Sequence, residues 1–309
     1  MGITVLSLFD GISCGQIALE RAGIEVDTYY ASEIKKHAIE TTLKHYPETV
    51  EIGDVRKVWY NDGTLYTEKG NFKVGEIDLL IGGSPCQNFS IARVSMGTKK
   101  MEGLNGDKSS LFYEYLRLKR MVAPRYFLLE NVRMKKDSEN ELNSYMGVEG
   151  IHINSKLVSF QLRERIYWSN IKGITLPEDK KVSFQEHKDT DSEYCKLFKV
   201  KRTPSRERMW NWGKGRETSG NCTNITNAEK VGCITRKQDR CPNSGLIEFE
   251  DFCRYLTRRE IEKAQTLPVG YTDNLTYGQM QDVCGDGWTV DVIAHIFKFL
   301  KRNLENEGA

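Results

Sequence analysis

Cys86 and Glu130 are the residues of this sequence best placed for covalent chemistry. Cys86 lies in the turn Gly82-Gly83-Ser84-Pro85-Cys86-Gln87-Asn88, which follows a short apolar run, and Glu130 follows the apolar run Tyr126 to Leu129. A thiolate can add to an electron-poor ring carbon. An acid whose pKa is raised by burial can share a proton with a ring nitrogen and make that ring more electrophilic. The pair predicts nucleophilic catalysis on a heterocycle.

Both residues also have ordinary structural interpretations. A lone cysteine is more often a small buried hydrophobic residue than a nucleophile. An acid at the end of a strand commonly caps a neighbouring helix. What favours catalysis is their common position, because each follows a strand of one predicted sheet.

Three more carboxylates follow predicted strands, namely Asp10, Glu33 and Asp54. Ligands of open parallel sheets bind beyond the carboxyl ends of the strands. Glu33 follows Gly11 by about 20 residues, the spacing at which an acid meets a ribose diol, and Asp54 could accept from an adenine amino group. No Lys or Arg precedes Arg21, so a cationic ligand without phosphate is favoured. We therefore predict S-adenosyl-L-methionine as cofactor, although each acid taken singly could be a solvated loop charge.

These residues need a sheet to bring them together, and the first half of the chain repeats an apolar run, a turn and a helical stretch. Strands that alternate with helices predict an α/β fold with a mainly parallel sheet. Two later runs, 151–158 and 165–171, predict an antiparallel hairpin. The other predicted elements are strands Ile3 to Phe9, Val26 to Ala31, a short segment before Asp54, Ile77 to Ile81 and Tyr126 to Leu129, and a helix Cys14 to Ala22.

Composition along the chain predicts three parts. Residues 1–171 hold the predicted sheet, whereas residues 172–255 are polar and rich in Gly, Asn, Thr and Arg, which predicts a separate loop-rich domain. Residues 256–309 should return to the first domain, with a helix capped by Thr257 and Glu260 and a second helix from Val290 to Leu300.

Gln161, Arg163 and Arg165 alternate along the chain and would share one face of a strand or turn. Such a face suits contacts to an anion or a base. Surface salt bridges would produce the same pattern.

Whole-chain composition limits the class of protein. The chain has 309 residues, 39% of them hydrophobic, and a formal charge of +2, which predicts a folded protein of enzyme size. The eight cysteines form no CxxC pair and no close cluster with histidine, which argues against structural zinc and a disulfide framework. No leader and no stretch of membrane-spanning length is present, so we expect no membrane contact and a cytoplasmic location.

Positive charge is concentrated in residues 196–240, which hold 12 Lys or Arg and 4 Asp or Glu. This local excess favours a nucleic-acid partner. Trp210 and Trp212 in this segment could pack against sugar or base, or could serve a small local core. The loop Ala92 to Lys108 is predicted to close over the bound partner.

The chain resembles the cytosine-5 DNA methyltransferase family, and most closely its branch containing the animal de novo enzymes. The proline-cysteine and Glu-Asn-Val segments in this order are the most specific part of the match. The matching segments are LSLFDGISCG (6–15), ASE (31–33), GDV (53–55), GGSPCQNFS (82–90), LFYEYLR (111–117), LLENV (128–132), QLRER (161–165), LTRREIEKAQTLP (256–268) and CGDGWTVDVIAHIF (284–297).

The resemblance implies a Rossmann-like methyltransferase sheet with a smaller target-recognition domain, and a role for each matched residue. Cys86 would attack C6 of a cytosine flipped out of double-stranded DNA, while Glu130 hydrogen-bonds N3. Arg165 would help to hold the base and the adduct, and Arg163 is counted with these catalytic residues. The cofactor pocket would be lined by Phe9, Asp10, Gly11, Ile12, Ser13, Cys14, Glu33, Ile34, Asp54, Val55, Arg56, Gly82, Leu111, Asp286, Gly287 and Trp288. DNA would contact Ser84, Pro85, Gln87, Asn88, Ser90, Lys99, Asn131, Gln161, Arg206, Arg208 and Arg236.

The sequence departs from the family pattern at one motif and leaves several alternatives open. Gly285-Asp286 stands where most bacterial members carry Gly-Asn, and Trp288 is typical of the de novo branch. A tRNA cytosine-5 methyltransferase is the main alternative, but the Cys-Phe-Thr tripeptide of that branch does not occur. A non-catalytic DNA-binding homologue is the other. A cognate restriction enzyme, the target site and the oligomeric state stay open.

Overall fold

The structure, a computed structural model, describes residues 2–84, 110–201, 203–204, 223–236, 243–249 and 252–307. The chain forms two compact units. The first comprises Met1–Ile153, Glu164–Leu176 and Ile293–Ala309, and the second comprises Asn154–Arg163 and Pro177–Val292. Residues 256–292 therefore belong to the second compact unit, and only the C-terminal stretch from Ile293 joins the first. The predicted functional domains 1–171, 172–255 and 256–309 stay a prediction.

A seven-stranded sheet forms the centre of the first unit. Its strands lie in the order β3-β2-β1-β7-β8-β10-β9. Adjacent strands among the first five of these are parallel, and β10 is antiparallel to β8, which confirms the predicted mixed sheet. The strands are β1 (Ile3–Leu8), β2 (Val26–Ser32), β3 (Val50–Glu51), β7 (Leu79–Gly83), β8 (Tyr126–Val132), β9 (Ile151–Asn154) and β10 (Glu164–Ser169).

The central strands are buried along most of their length, as expected for the middle of a parallel sheet. Leu6, Leu80 and Leu129 are fully buried and pack with Phe112 and Tyr115 in one hydrophobic cluster. The helices of this unit are α1 (Cys14–Ala22), α2 (Lys36–His45), α3 (Ser110–Val122) and α4 (Lys136–Met146). Among the described residues, no helix is long and apolar enough to cross a membrane.

A three-stranded antiparallel meander between β3 and β7 was not predicted. It consists of β4 (Trp59–Asn61), β5 (Thr64–Thr67) and β6 (Gly70–Lys73). Asp62 and Gly63 form its first two-residue turn, with φ of 44° and 67°, and an Asp-Gly pair is typical of such hairpin turns. Glu68 and Lys69 form the second. The Asp-Gly pair was the signal in the sequence that could have located the first hairpin.

The second unit contains short elements around a buried ion pair. Arg254 and Glu260 are both fully buried, and Nη1 of Arg254 lies 2.8 Å from Oε2 of Glu260. Thr257 and Glu260 form the predicted capping box. The elements of this unit are α5 (Ser192–Lys196), β11 (Ile247–Phe249), β12 (Phe252–Arg254), α6 (Arg258–Ala264) and α7 (Tyr277–Asp286), and α8 (Val290–Glu307) begins here and continues into the first unit.

Candidate active site

The turn between β1 and α1 has an unusual backbone. Phe9, Gly11 and Ser13 all have positive φ, at 59°, 66° and 55°. Such angles are costly for a bulky residue such as Phe9, and strained residues of this kind cluster at ligand sites. The first predicted cofactor turn therefore has a strained backbone, and its contact with a cofactor stays a prediction. Of the other residues predicted there, Ile12 and Cys14 are buried.

Asp10 stabilises this turn through hydrogen bonds to its carboxylate. Its carboxylate accepts hydrogen bonds from Ser7 Oγ at 2.6 Å, from Tyr29 Oη at 2.7 Å and from the Ser13 hydroxyl. Burial raises the pKa of Asp10, while the three hydroxyl donors act in the opposite direction. The carboxylate thus anchors the strained turn to β1 and β2, and its predicted contact with the cofactor stays a prediction.

Glu33 joins the ends of β1 and β2. Its Oε2 accepts from Gly11 N at 2.8 Å, and its Oε1 accepts from Ile34 N at 2.8 Å and Lys35 N at 2.9 Å. A carboxylate has about four acceptor sites, so capacity for a ligand hydroxyl remains. Ile34 is 68% exposed beside this carboxylate and offers an apolar surface.

Asp54 follows β3 and begins the 3₁₀ turn Val55–Lys57. Its Oδ1 accepts from the backbone N of Arg56 and from Arg56 Nε, each at 3.0 Å. The Arg56 side-chain hydrogen bonds lower the pKa of Asp54. Asp54 is therefore an ionised acceptor, as binding an amino group would require. Val55 packs into the hydrophobic cluster of the first unit.

Glu51, at the end of β3, was missed by the sequence analysis. Neither of its carboxylate oxygens has a hydrogen-bond partner in the part of the chain that the structure describes, and both are buried. Burial, followed by the negative charges of Asp10 and Glu33, raises the pKa of Glu51 to about 8. The only available signal was an acid inside the short run that precedes Gly53.

Glu130 and Arg165 form a close ion pair. Arg165 Nε lies 2.9 Å from Glu130 Oε1, and the two side chains are 13% and 8% exposed. The pair joins β8 to β10, where Glu130 is opposite Tyr167 in the antiparallel register. The structure thus brings together two of the four predicted catalytic residues.

A second contact connects Glu130's strand to the predicted nucleophile turn. Asn131 Nδ2 donates to Ser84 Oγ at 3.1 Å, and both side chains are buried. In the parallel register of β7 and β8, Gly83 is opposite Glu130. Ser84 is therefore held beside Glu130. Cys86, Pro85, Gln87, Asn88, Ser90 and Lys99 lie outside the described residues.

Two other predicted cofactor residues have packing contacts in the first unit. A Cβ at Gly82 would lie 3.0 Å from Leu8 O and 3.1 Å from the Tyr115 ring, so a side chain there would crowd the strand and the helix. Leu111 is half-buried on α3 and packs against the same hydrophobic cluster. Their predicted contacts with the cofactor are not shown by these positions.

Arg163 lies in the second unit and is buried. Its guanidinium donates to the backbone oxygens of Ile234 at 2.9 Å, Gly285 at 3.1 Å and Gly287 at 2.7 Å. Arg163 thus braces the segment that contains the predicted cofactor residue Asp286. Gln161 is also buried, and its Nε2 donates to Ala264 O at 3.0 Å and to Gln265 Oε1 at 3.1 Å.

Arg236, predicted to contact DNA, makes ion pairs within the second unit. It pairs with Asp282 and, at 3.5 Å, with Asp286, which is 47% exposed at the end of α7. Gly287 and the half-buried Trp288 follow directly. Arg206 and Arg208 lie outside the described residues.

The model of the family described as C-5 cytosine-specific DNA methylase matches residues 3–167, which include the whole of the site in the first unit. The chain belongs to this family.

Curated relatives of this methylase-family chain come from phages, plants and bacteria. The orphan methyltransferase M.Rho11sI of Bacillus phage rho11s is 33% identical over 210 residues, covering 64% of this chain and 38% of the relative. The DNA (cytosine-5)-methyltransferase DRM2 of Arabidopsis thaliana is 38% identical over 136 residues, covering 40% of this chain and 20% of the relative. The matched part is therefore well under half the length of either protein.

Solved structures of methyltransferases share the fold of this methylase-family chain. The Dnmt2 methyltransferase of S. pombe has a TM-score of 0.69 at 17% identity and covers 98% of this chain and 99% of its own. The methyltransferase EhMeth of Entamoeba histolytica has a TM-score of 0.72 at 16% identity, with the same coverage of each chain. Similarity at this level of identity shows the fold, which is Rossmann-like.

Proposed function

We propose that this chain transfers a methyl group from S-adenosyl-L-methionine to C5 of a cytosine flipped out of double-stranded DNA. The observation that supports the proposal most is the buried pair Glu130–Arg165, joined through Asn131 and Ser84 to the turn that leads to Cys86. An acid and a cation thus lie close to Ser84, which is two residues before Cys86 in the sequence.

In the proposed reaction, the Cys86 thiolate forms a bond to C6 of the cytosine and the ring electrons move toward C5. Glu130 hydrogen-bonds N3 and favours this addition, and Arg165 holds the Glu130 carboxylate in place. C5 then forms its bond to the methyl carbon. Loss of the C5 proton to a base and elimination of the thiolate restore the aromatic ring and free Cys86.

The residues of the first unit fit S-adenosyl-L-methionine, which when bound would supply the electrophilic methyl group and leave as the neutral thioether. Glu33 would accept from the ribose hydroxyls and Asp54 from the adenine amino group. Ile34 is exposed beside Glu33 and would pack against the adenine ring. The strained turn around Gly11 carries no basic side chain, in agreement with a cationic ligand without phosphate.

Target recognition is assigned to the second unit in this proposal. Arg163 would act as a positioning residue, since its guanidinium donates to the backbone on both sides of Asp286. Positive charge in residues 196–240 would bind the DNA backbone. The proposal agrees with a methyltransferase that works beside a restriction enzyme of the same target site, and equally with one that works alone.

The test is transfer of labelled methyl from S-adenosyl-L-methionine to duplex DNA and, in parallel, to tRNA. We expect incorporation into DNA that Cys86→Ala abolishes. Incorporation into tRNA alone would replace the proposed substrate, and unchanged transfer by Cys86→Ala would contradict the covalent mechanism. No transfer to either nucleic acid, despite cofactor binding, would favour a non-catalytic DNA-binding homologue.

A further inference from the structure

The peptide group between Gly53 and Asp54 is held at both of its polar ends. Its carbonyl oxygen, Gly53 O, accepts from Ser32 Oγ at 2.7 Å. Its N–H, on Asp54, donates to Glu68 Oε1 at 3.0 Å. Ser32 ends β2, whereas Glu68 belongs to the meander. Two separate elements therefore fix the plane of the peptide directly before the Asp54 side chain.

Glu68 approaches this peptide very closely. A Cβ added at Gly53 would meet the Glu68 carboxylate, and Gly53 has a φ of +79°, a backbone conformation that residues with side chains rarely adopt. Glu68 Oε2 accepts from Lys57 Nζ at 2.6 Å. One carboxylate thus holds the start and the end of the segment 54–57.

The meander keeps Glu68 in this place. Glu68 lies in the two-residue turn between β5 and β6, and the neighbouring Leu65 of β5 is fully buried in the hydrophobic cluster of the first unit. Tyr60 Oη of β4 also donates to Gly75 O at 2.7 Å. The meander is therefore attached to the body of the unit through Leu65 and does not depend on Glu68 alone.

We propose that Glu68 is a positioning residue for the adenine of the cofactor, acting through the backbone N–H of Asp54. This inference rests on the proposed function, in which Asp54 accepts from the adenine amino group. Glu68 sets the orientation of the Asp54 peptide, and Arg56 sets the orientation of the carboxylate. The meander then serves as a support for cofactor recognition.

The experiment measures the affinity of the full chain for S-adenosylhomocysteine and for its analogue with hydrogen in place of the adenine amino group. Glu68→Ala should weaken binding of S-adenosylhomocysteine about tenfold, the effect of losing one hydrogen bond. Binding of the analogue should change less than about twofold, because the amino group that Asp54 would accept from is absent. A Glu68→Ala loss of the same size for both ligands would overturn the inference.

Two matched variants separate the backbone contact from the ion pair. Glu68→Gln retains an oxygen that can accept from Asp54 N and should recover most of the affinity. Lys57→Met removes the ion pair and keeps the acceptor, so it should bind like the wild type. Equal losses in Lys57→Met and Glu68→Ala would assign the effect to the ion pair and overturn the inference.

Folding and the proposed function are controlled separately. If Glu68→Ala lowers the thermal midpoint, Glu68→Met, which keeps the length of the side chain and lacks an acceptor, serves for the same comparison. Normal binding by wild type and by both acceptor-free variants would overturn only the role of Glu68. Failure of the wild type to bind S-adenosylhomocysteine would overturn the proposed function as well.

Discussion

Glu130 and Arg165 lie on neighbouring antiparallel strands, with Nε of Arg165 2.9 Å from Oε1 of Glu130 and both side chains almost withdrawn from solvent. A buried pair of this kind is costly to break, because removal of one partner leaves the other charge unpaired and desolvated. The same geometry places an oriented acid beside the turn that leads to Cys86. The stability of the fold and the proposed chemistry therefore both depend on the Glu130–Arg165 ion pair.

Glu130→Gln should lower kcat of methyl transfer by about 100-fold or more, the range for loss of a group active in proton transfer. The affinity for S-adenosylhomocysteine should not change, since Glu130 has no proposed contact with the cofactor. Steady-state kinetics together with calorimetric titration would check both. A loss confined to cofactor affinity would contradict the assignment.

Arg165→Met should lower the free energy of unfolding by about 3 kcal/mol, because it removes the cation that lies against the buried Glu130 carboxylate. The control is Arg133→Met, which breaks the ion pair with Glu164 at 3.2 Å, where the side chains are 63% and 37% exposed. That change should cost less than about 1 kcal/mol. Chemical denaturation measures both, and equal costs would contradict the structural importance of the buried pair.

Asn131→Ala and Ser84→Ala should each reduce kcat, because the bond between these side chains holds the turn before Cys86. The double variant should be no worse than the more affected single variant, as expected for two residues that act through one contact. A double-mutant cycle on kcat is the measurement. Fully additive losses would show that the two residues act independently.

Glu51 should make the folded state less stable as the pH rises. Its pKa is about 8 in the folded chain against an ordinary 4.5, so the folded state binds the proton more tightly than the unfolded state. The proton on Glu51 therefore contributes fully to the stability of the folded state below pH 4.5. This contribution is lost as the pH rises from 4.5 to 8, with a slope of at most about 1.4 kcal/mol per pH unit. Glu51→Gln should flatten the dependence of unfolding free energy on pH across that range. An identical pH profile for wild type and variant would show that Glu51 does not carry it.

Gly82→Ala should destabilise the first unit by about 1–3 kcal/mol, because the added Cβ would press on Leu8 O and the Tyr115 ring. Gly278→Ala on α7 is the matched control, since nothing lies within 4 Å of a Cβ there. Alanine is a better helix former than glycine, so this variant should be as stable as the wild type or slightly more stable. Thermal unfolding of both proteins distinguishes a steric effect from a general intolerance of alanine.

Much of the fold and part of the site could be predicted because their signals are local in the chain. The apolar runs that became β1, β2, β7 and β8, and the Thr257 capping box, are patterns of neighbouring residues. Placing Glu130 next to a buried apolar run was also a local inference, although β8 extends past Glu130 to Val132. The register between β8, which contains Glu130, and β10, which contains Arg165, could not be inferred locally, because the two strands are separate segments of the chain.

The sequence by itself determined the family motifs, the apolar runs that form the parallel strands, and which acidic residues lie near the ends of those strands. Only the tertiary structure decided which polar groups from distant segments contact each other. Glu68 reaches the peptide of Asp54 across 14 residues, and Arg163 reaches the oxygen of Gly287 across 124. Such partners depend on how distant segments pack, and a buried donor or acceptor must find its partner there because water cannot reach it.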